Sequence, residues 1–200
     1  MIEILDPRLK RLHLQTGEAP AKPKLDQLPT YEVFVQAKEP RPFKHEGGVH
    51  ATSIEMALVF AKEQYTRRGI CSGIWIASTK DIIVTDFTDN SIDIYDQFDE
   101  QQNCDGNEYS IFHMTKRGTQ HSFAGVVNAS SPEQALACAK TSIERKKPVL
   151  NVWLFKTADI RKTTEEDKAM WETTPEKLFR EAIDYKTSAK LKAFKEGRER

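Results

Sequence analysis

The sequence of 200 residues is poor in cysteine, has no excess of charge of either sign and contains no long hydrophobic run. Its three cysteines, Cys71, Cys104 and Cys138, are widely spaced and odd in number, which argues against a disulfide framework and against a CxxC metal site. No hydrophobic run approaches the roughly 20 residues of a membrane-spanning helix. The first residues lack the basic-then-apolar order of a signal peptide. We therefore expect a cytoplasmic protein that does not bind membranes.

The sequence also lacks the familiar catalytic and nucleotide-binding motifs. It contains no GxGxxG, GxxxxGK[ST], GxSxG, HExxH or ExxH. The nearest metal-like candidate is HEGGVH, but His45 and His50 are five residues apart in an extended segment and point to opposite faces. A formal net charge of zero speaks against a surface that neutralises phosphates. We predict no catalytic residue, no metal, no cofactor and no nucleic-acid partner, so the chain is not expected to be an enzyme by itself.

What the sequence does contain is an internal repeat. A shift of 78 residues aligns residues 31–82 with residues 109–160 without a gap, and about a third of the aligned pairs are identical. The pairs include Tyr31 with Tyr109 and Trp75 with Trp153. Two copies of this length are too few for a solenoid, so we predict a duplicated small domain.

Each copy has the pattern of a β-β-α-β unit. In the first copy, YEVFVQAK alternates like a strand, with Val33 and Val35 on one face and Phe34 on the other. The segment PRPFKHEG predicts a turn, GVHAT a short extended segment, and TSIEMALVFAKEQYTRR a helix with Thr52 as N-cap and Glu55 closing a capping box. The third strand is SGIWIAST, and in the second copy Pro132 opens the helix and LNVWLF is the strand.

We therefore predict an α+β protein made of two tandem β-β-α-β units, each with a three-stranded sheet and one helix. A unit of about 50 residues buries too little surface to be stable alone, and the sheet face opposite its helix is rich in aromatic residues. The two units should pack on each other as a pseudo-two-fold dimer. The predicted division is an N-terminal extension (1–30), unit 1 (31–82), an acidic connector (83–108), unit 2 (109–160) and a C-terminal amphipathic helical tail (161–200).

The connector is strongly acidic: residues 82–108 contain eight acids and no Lys or Arg. Such a segment is most often a solvated linker, although it could steer a basic partner. Its SIDIYDQF stretch could form a short element of its own.

The first helix carries a second apolar stripe, Met56, Val59 and Phe60, whose counterparts in the second copy are smaller or polar. This stripe either contacts a partner protein or is covered by one of the two chain extensions. The basic run with Arg67 and Arg68 stabilises the helix end, anchors an acidic partner or contacts a phosphate-bearing ligand. Together with the two histidines of HEGGVH, the candidate partner-binding residues are Met56, Val59, Phe60, Arg67, Arg68, His45 and His50.

The segments YEVFVQAK, HEGGVHA, MALVFAKEQYTRR and CSGIWI resemble the PaaB family, the small B subunits of the multicomponent ring-1,2-phenylacetyl-CoA epoxidase. The resemblance covers residues 31 to about 82, and the second copy looks like a diverged PaaB unit. It implies an accessory, bridging subunit of a di-iron monooxygenase, without a cofactor of its own. The implied partners are a ferritin-like catalytic subunit, a ferritin-like scaffold subunit and the reductase.

Two other functions stay open at this point. One is a small-ligand-binding or enzymatic α+β barrel with a pocket between the units, lined by His50, Tyr65 or Arg67. The other is a nucleic-acid-binding module built from the tandem units, which the neutral charge disfavours. A solid seam between the two sheets would count against the pocket.

Overall fold

The computed structural model describes residues 27–66, 71–89, 92–101, 103–172 and 187–198. These residues form an α+β fold with an antiparallel sheet and few helices. The strands are β1 (Thr30–Gln36), β2 (Lys44–His50), β3 (Gly73–Ser78), β4 (Ile83–Val84), β5 (Asn107–Met114), β6 (Ser122–Ala129), β7 (Asn151–Lys156) and β8 (Arg161–Lys162). The helices are α1 (Ile54–Tyr65), α2 (Pro132–Ser142) and α3 (Thr187–Arg198), and short 3-10 helices span Thr79–Asp81, Ile94–Gln97, Thr157–Asp159 and Glu166–Trp171.

All eight strands belong to one sheet, with the order β4-β7-β5-β6-β2-β1-β3-β8. We expected a separate three-stranded sheet in each unit; instead, the two sets of three strands are joined where β2 meets β6. Lys44 lies opposite Ser122, the His45 N–H donates to the His121 carbonyl (2.9 Å), and the Phe123 N–H donates to the Phe43 carbonyl (2.8 Å). Joining the strands in this way satisfies part of two sheet edges that would otherwise be open.

The two halves also exchange short strands. Strand β4 follows unit 1 in the chain but pairs with β7 of unit 2, with Val84 opposite Trp153. Strand β8 follows unit 2 but pairs with β3 of unit 1, with Lys162 opposite Trp75. Each half therefore contributes a strand to the outer edge of the other, which couples their stabilities.

The strand alternation predicted for β1 is confirmed. Val33 and Val35 are buried in a cluster under α1, whereas Phe34 is buried on the other face, in a second cluster that includes Phe112 and Phe155. Strand β2 is longer than expected, because residues assigned to the turn, from Lys44 onward, are already extended. The face opposite the helices is thus the seam between the halves.

The first predicted helix is confirmed as α1, with one correction at its start. Its buried stripe is Ala57, Leu58 and Ala61. The N-cap is Ser53 and not Thr52, because Ser53 has the extended backbone and its hydroxyl accepts from the Met56 N–H. Glu55 does not close a capping box; its carboxylate binds the Arg161 guanidinium at 2.9 Å.

Helix α2 begins as the sequence predicts. Pro132 occupies its first turn, and the N-cap Ser131 accepts from the Gln134 N–H. Ala135, Leu136 and Ala139 are buried in a cluster with residues of β5, β6 and β7. The two helices begin at equivalent N-cap residues and bury equivalent apolar residues. This explains why both copies place their helix on the same side of their strands.

The solvated-linker interpretation of the connector is wrong for its middle part. Ile94 and Tyr95, in the 3-10 helix Ile94–Gln97, are fully buried in the core of unit 2. The Asp93 carboxylate accepts from the Tyr95 N–H, and the Tyr95 hydroxyl lies 2.7 Å from His113 Nε2. The composition of this stretch did not predict the burial of these two residues, because acidic residues dominate it.

The C-terminal region begins as part of the core. Met170 and Trp171, in the 3-10 helix Glu166–Trp171, pack against the α1 cluster, and the Trp171 indole N–H donates to the Thr66 hydroxyl at 3.1 Å. The predicted helix start at Thr174 lies outside the described residues. Helix α3 follows at Thr187–Arg198. No helix among the described residues is long and apolar enough to cross a bilayer.

Two of the three cysteines are bonded, contrary to our expectation. Cys104 and Cys138 form a disulfide that links the end of the connector to α2, with their Cα atoms 6.0 Å apart. Cys71 is free and partly buried, and burial raises the pKa of its thiol. Wide spacing in the sequence did not indicate the bond because the fold, and not the spacing, brings the two sulfurs together.

A thiol count tests this pairing. We expect the unfolded, unreduced chain to react with a thiol reagent at one cysteine, Cys71, and the reduced chain to react at all three. Mass mapping after alkylation should place the protected pair at residues 104 and 138. Three reactive thiols in protein purified without reductant would contradict the bond.

Candidate functional site

An exposed apolar ridge runs along the outer face of α1. Met56, Val59 and Phe60 are 40%, 42% and 42% exposed, and their i, i+3, i+4 spacing places them on one stripe. They lie opposite the buried stripe of the same helix. We call these three residues the α1 ridge, and a contiguous apolar group of this kind on a protein surface is typical of an interaction site.

The matching face of α2 is covered. The counterparts of the ridge are Gln134, Ala137 and Cys138, and the last two are buried. The connector lies over them: the Gln134 amide donates to the Asn103 carbonyl (2.9 Å), the Lys140 ammonium donates to the Phe98 carbonyl (2.8 Å), and the Cys104–Cys138 disulfide fixes the segment. Helices α1 and α2 are equivalent in the repeat, but the outer face of α1 is exposed and that of α2 is covered.

The structure separates the other predicted binding residues from the ridge. His45 is half-buried in the seam, where its Nε2 lies 2.7 Å from a Glu32 carboxylate oxygen. His50 is exposed at the end of β2, with Nδ1 3.1 Å from the Thr30 hydroxyl. Arg67 and Arg68 lie outside the described residues. Three of the seven predicted residues therefore form one surface, and their role in binding stays a prediction.

Aromatic rings fill the seam between the halves. The Phe34 ring of unit 1 has its centroid 4.3 Å from that of Phe112 and 5.5 Å from that of Phe155, both of unit 2. Phe112 and Phe155 stack at 5.4 Å. A pocket between the units would need an empty cavity at the place that these packed rings fill. The seam therefore counts against the pocket hypothesis.

The two repeated tryptophans lie in related but chemically different ring clusters. The Trp75 ring stacks on Phe43 (4.0 Å) and meets the Phe123 ring edge to face (5.1 Å). The Trp153 ring stacks on His121 (4.3 Å) and also contacts His45 (4.6 Å). The shift of 78 residues relates Phe43 to His121 and His45 to Phe123, so the first cluster contains two phenylalanines and the second contains two imidazoles.

Sequence reasoning missed this cluster of His45, His121 and Trp153, although the aligned copies carry a signal for it. At positions 43/121 and 45/123 the repeat pairs Phe with His and then His with Phe. Such a reciprocal exchange suggests that the four residues meet across an interface. This exchange is visible only when the two copies are aligned. In the first copy alone, His45 resembles a surface residue.

Burial lowers the pKa of two imidazoles near the seam, those of His121 and His113. Burial lowers the pKa of His121, whose Nε2 lies 2.7 Å from the Asn151 amide oxygen, a contact that acts in the opposite direction. Burial also lowers the pKa of His113 to about 4. The hydrogen bond from His45 lowers the pKa of Glu32. These groups bind each other within the protein, as expected for a stable interior rather than for an exposed acid and base.

Two surface grooves lie among the described residues. One, of about 850 Å³, lies beside Cys71, Trp171 and Lys38. The other, of about 640 Å³, lies beside Lys44 and His113. Neither is lined by His50 or Tyr65, two of the residues named for the pocket hypothesis; the third, Arg67, lies outside the described residues.

Comparisons with known proteins agree on one family. A family model described as "Phenylacetic acid degradation B" (PaaB) matches residues 27–102 and 106–192. The B subunit of 1,2-phenylacetyl-CoA epoxidase from Escherichia coli (strain K12) is 39% identical over 57 residues, which is 28% of this chain and 60% of that protein. The aligned region thus spans less than two thirds of that relative. No solved structure matches significantly.

Proposed function

Because this chain belongs to the PaaB family of phenylacetic acid degradation proteins, we propose that it is a non-catalytic bridging subunit of a di-iron monooxygenase that epoxidises phenylacetyl-CoA. Its partners in this proposal are the ferritin-like catalytic and scaffold subunits and the reductase of the complex. The name of the Escherichia coli relative, the B subunit of an epoxidase, supports the reaction class.

The α1 ridge is the observation that carries the proposal. Fully burying an exposed aromatic or large aliphatic side chain contributes roughly 1.5–3 kcal/mol. Since 40–42% of each ridge residue is still exposed, covering all three contributes about 2–4 kcal/mol to a contact. In the second half, the corresponding helix face is already used by the connector. Of the two repeated helices that the structure describes, α1 is the one whose outer face is available for another protein.

The packed seam supports an accessory role over a catalytic one. The rings between the halves are packed in the place where a shared active site would need space. The described acids and bases of the seam are hydrogen-bonded to protein groups. The chain provides a rigid body with one specialised surface, which suits a bridging subunit.

The tandem arrangement adds a second argument. Two PaaB-like units in one chain, joined through β2 and β6 and by exchanged strands, amount to a covalent counterpart of a dimer. Covalent linkage lets one unit specialise for contact while the other keeps the fold. We propose that unit 1 has specialised in this way and that its helix meets the ferritin-like subunits.

Substitution of Phe60 tests the proposal. We expect Phe60→Asp to weaken co-purification with the ferritin-like subunits at least about tenfold, because a charge replaces a buried aromatic contact. The free energy of unfolding of the isolated chain should change by less than about 1 kcal/mol, since the side chain is 42% exposed. Binding is measured by titration calorimetry against the purified oxygenase subunits.

The matched control is Val126→Asp, a similarly exposed apolar residue (46%) on β6, which should bind like the wild type. Loss of folding in Phe60→Asp would show that the ridge is internal core. Failure of the wild-type chain to associate with any of the oxygenase subunits would refute the bridging role itself.

A further inference from the structure

The sheet has an open edge at β4, where the acidic connector begins. Among the described residues, β4 stands at one end of the strand order and pairs with β7 alone. The Thr85 N–H donates to the Val152 carbonyl (3.0 Å), toward β7. Since neighbouring residues of an antiparallel strand direct their backbone groups to alternate sides, the N–H and C=O of Val84 point away from β7. A strand edge of this kind can accept a further strand from another protein.

This edge is apolar on both faces of the sheet. Ile83 lies opposite Leu154, whose side chain is buried in the cluster under α2. Val84 lies opposite Trp153, whose side chain packs against the cluster of the seam. Because opposite residues of an antiparallel pair share a face, Ile83 and Val84 lie on different faces, where they are 40% and 52% exposed. A helix on one face could cover only one of them, whereas an added strand reaches both.

Two aspartates flank the apolar pair at equal distances in the chain. Asp81 stands two residues before Ile83, Asp86 stands two residues after Val84, and both aspartates are exposed. We call residues 81–86 the acidic edge. Its charges repel nucleic acids, anionic membranes and the same edge of a second copy, and they attract a strand that carries basic residues at matching positions.

The positive groups nearest in the chain leave the acidic edge negative. Residues 80–89 contain three aspartates and one lysine, Lys80, so the segment has a net charge of −2. The Arg117 guanidinium borders the segment at its far end: it lies 5.8 Å from the Phe87 ring centroid and donates to the Thr88 carbonyl at 3.5 Å. A basic partner therefore gains attraction along the apolar pair itself.

The internal repeat shows that the acidic edge is specific to one position. The shift of 78 residues relates its apolar pair to Arg161 and Lys162 of β8. The Arg161 guanidinium binds the carboxylates of Asp167 (2.8 Å) and Glu55 (2.9 Å), and the Lys162 ammonium lies 4.8 Å from the Trp75 ring centroid. The equivalent strand therefore lacks the apolar pair, and its basic side chains have contacts within the chain.

We propose that the acidic edge docks an extended segment of a partner protein, which joins the sheet as a strand beside β4. The recognised pattern is a basic residue, any residue, two apolar residues, any residue and a second basic residue. The apolar residues lie beside Ile83 and Val84, one on each face, and the basic residues lie beside Asp81 and Asp86. Because this spacing reads the same in both directions, the partner strand can be parallel or antiparallel to β4.

This docking site is separate from the α1 ridge. Helix α1 packs on β1, β2 and β3, toward the other end of the strand order. The site therefore takes a partner whether or not α1 meets the oxygenase subunits, and its test needs no oxygenase subunit.

An NMR titration of the nitrogen-15-labelled full chain tests the proposal. The probe is the peptide Ser-Lys-Thr-Val-Val-Thr-Lys-Ser, acetylated and amidated at its ends. We expect it to bind at low ionic strength and to bind more weakly as salt is added, because the paired charges are exposed. Hydrogen exchange of the Val84 N–H should slow on binding, whereas that of the Thr85 N–H, already bonded to Val152, should change little.

Two altered peptides separate charge from strand pairing. The peptide with Glu in place of both Lys residues should bind at least about tenfold more weakly, because its charges repel the aspartates. The peptide with N-methylvaline at both central positions keeps its charges but loses backbone donors, and it should also bind at least about tenfold more weakly. Equal affinity of all three peptides would overturn the proposal.

Protein variants locate the site. Asp86→Lys should raise the dissociation constant of the lysine peptide at least about tenfold, whereas Glu46→Lys, the same charge change on β2 four strands away, should bind like the wild type. Phe60→Asp should also bind like the wild type. A wild-type chain that does not bind the peptide at up to about 1 mM, or that binds it without protecting Val84, would refute the docking site. Affinity that falls as the protein concentration rises would show instead that a second copy occupies the edge.

Discussion

Phe34→Ala is expected to lower the free energy of unfolding by about 3–5 kcal/mol, the usual cost of removing a fully buried phenylalanine ring. The ring is completely buried and packs against both Phe112 and Phe155 of the other half. Its loss leaves a cavity in the seam, and the strands on both sides are tied into one sheet, so the site cannot close easily. Urea denaturation followed by circular dichroism measures the change.

The control for this substitution is Phe87→Ala, since that ring is more than half exposed; we expect it to cost less than about 1 kcal/mol. A double-mutant cycle with Phe112→Ala should give a coupling energy of about 0.5–1.5 kcal/mol, because the two rings touch across the seam. Phe34 and Phe112 are equivalent positions of the repeat. A loss below about 1.5 kcal/mol for Phe34→Ala would mean that the halves do not depend on this contact.

Acid should destabilise the protein through His113. Burial, with a smaller contribution from the Arg145 guanidinium and from His121, lowers the pKa of His113 to about 4 from an ordinary value of 6.5. The unfolded chain therefore binds a proton more readily than the folded chain. Stability is constant above the unfolded pKa and falls as the pH drops toward 4, by about 3 kcal/mol in all and about 2 kcal/mol by about pH 5.

His121 adds to the slope in the same direction, because burial also lowers its pKa. Glu32 and Asp167 act at lower pH: hydrogen bonds lower the pKa of both carboxyls, and their stabilisation is lost only as the pH falls through those low values. The interval from about pH 6.5 to about pH 5 therefore isolates the histidines. When the imidazole is charged, its Nε2 can only donate, so the Tyr95 hydroxyl at 2.7 Å then accepts that hydrogen bond.

His113→Gln measures the effect. The glutamine amide can still bind the Tyr95 hydroxyl but does not titrate, so we expect the variant to lose most of the acid slope even where its stability at neutral pH is lower. The comparison is between slopes from urea midpoints at several pH values. His50→Gln, at an exposed site on β2, is the control. Equal slopes for wild type and His113→Gln would show that the buried imidazole is not the acid-sensitive group.

Much of the local structure could be predicted from the sequence. The alternation in β1 placed Val33 and Phe34 on opposite faces, and Pro132 marked the first turn of α2, because both signals depend only on nearby residues. The α1 ridge could be predicted for the same reason, since helical spacing places Met56 and Phe60 on one stripe. The burial of Ile94 and Tyr95 could not, because their neighbours are acidic and their partners are distant in sequence.

The duplication, the β-β-α-β order of each unit and the unequal outer faces of α1 and α2 can be derived from the sequence alone, since they follow from identity between the copies and from short periodicities. The three-dimensional structure was needed to establish that the strands join into one sheet, that β4 and β8 exchange partners, that Cys104 bonds to Cys138 and that His121 and His45 both contact Trp153. These contacts join residues far apart in the chain. Which surfaces meet depends on the shapes and hydrogen-bonding groups of both halves together. The pattern of neighbouring residues in either half does not contain that information.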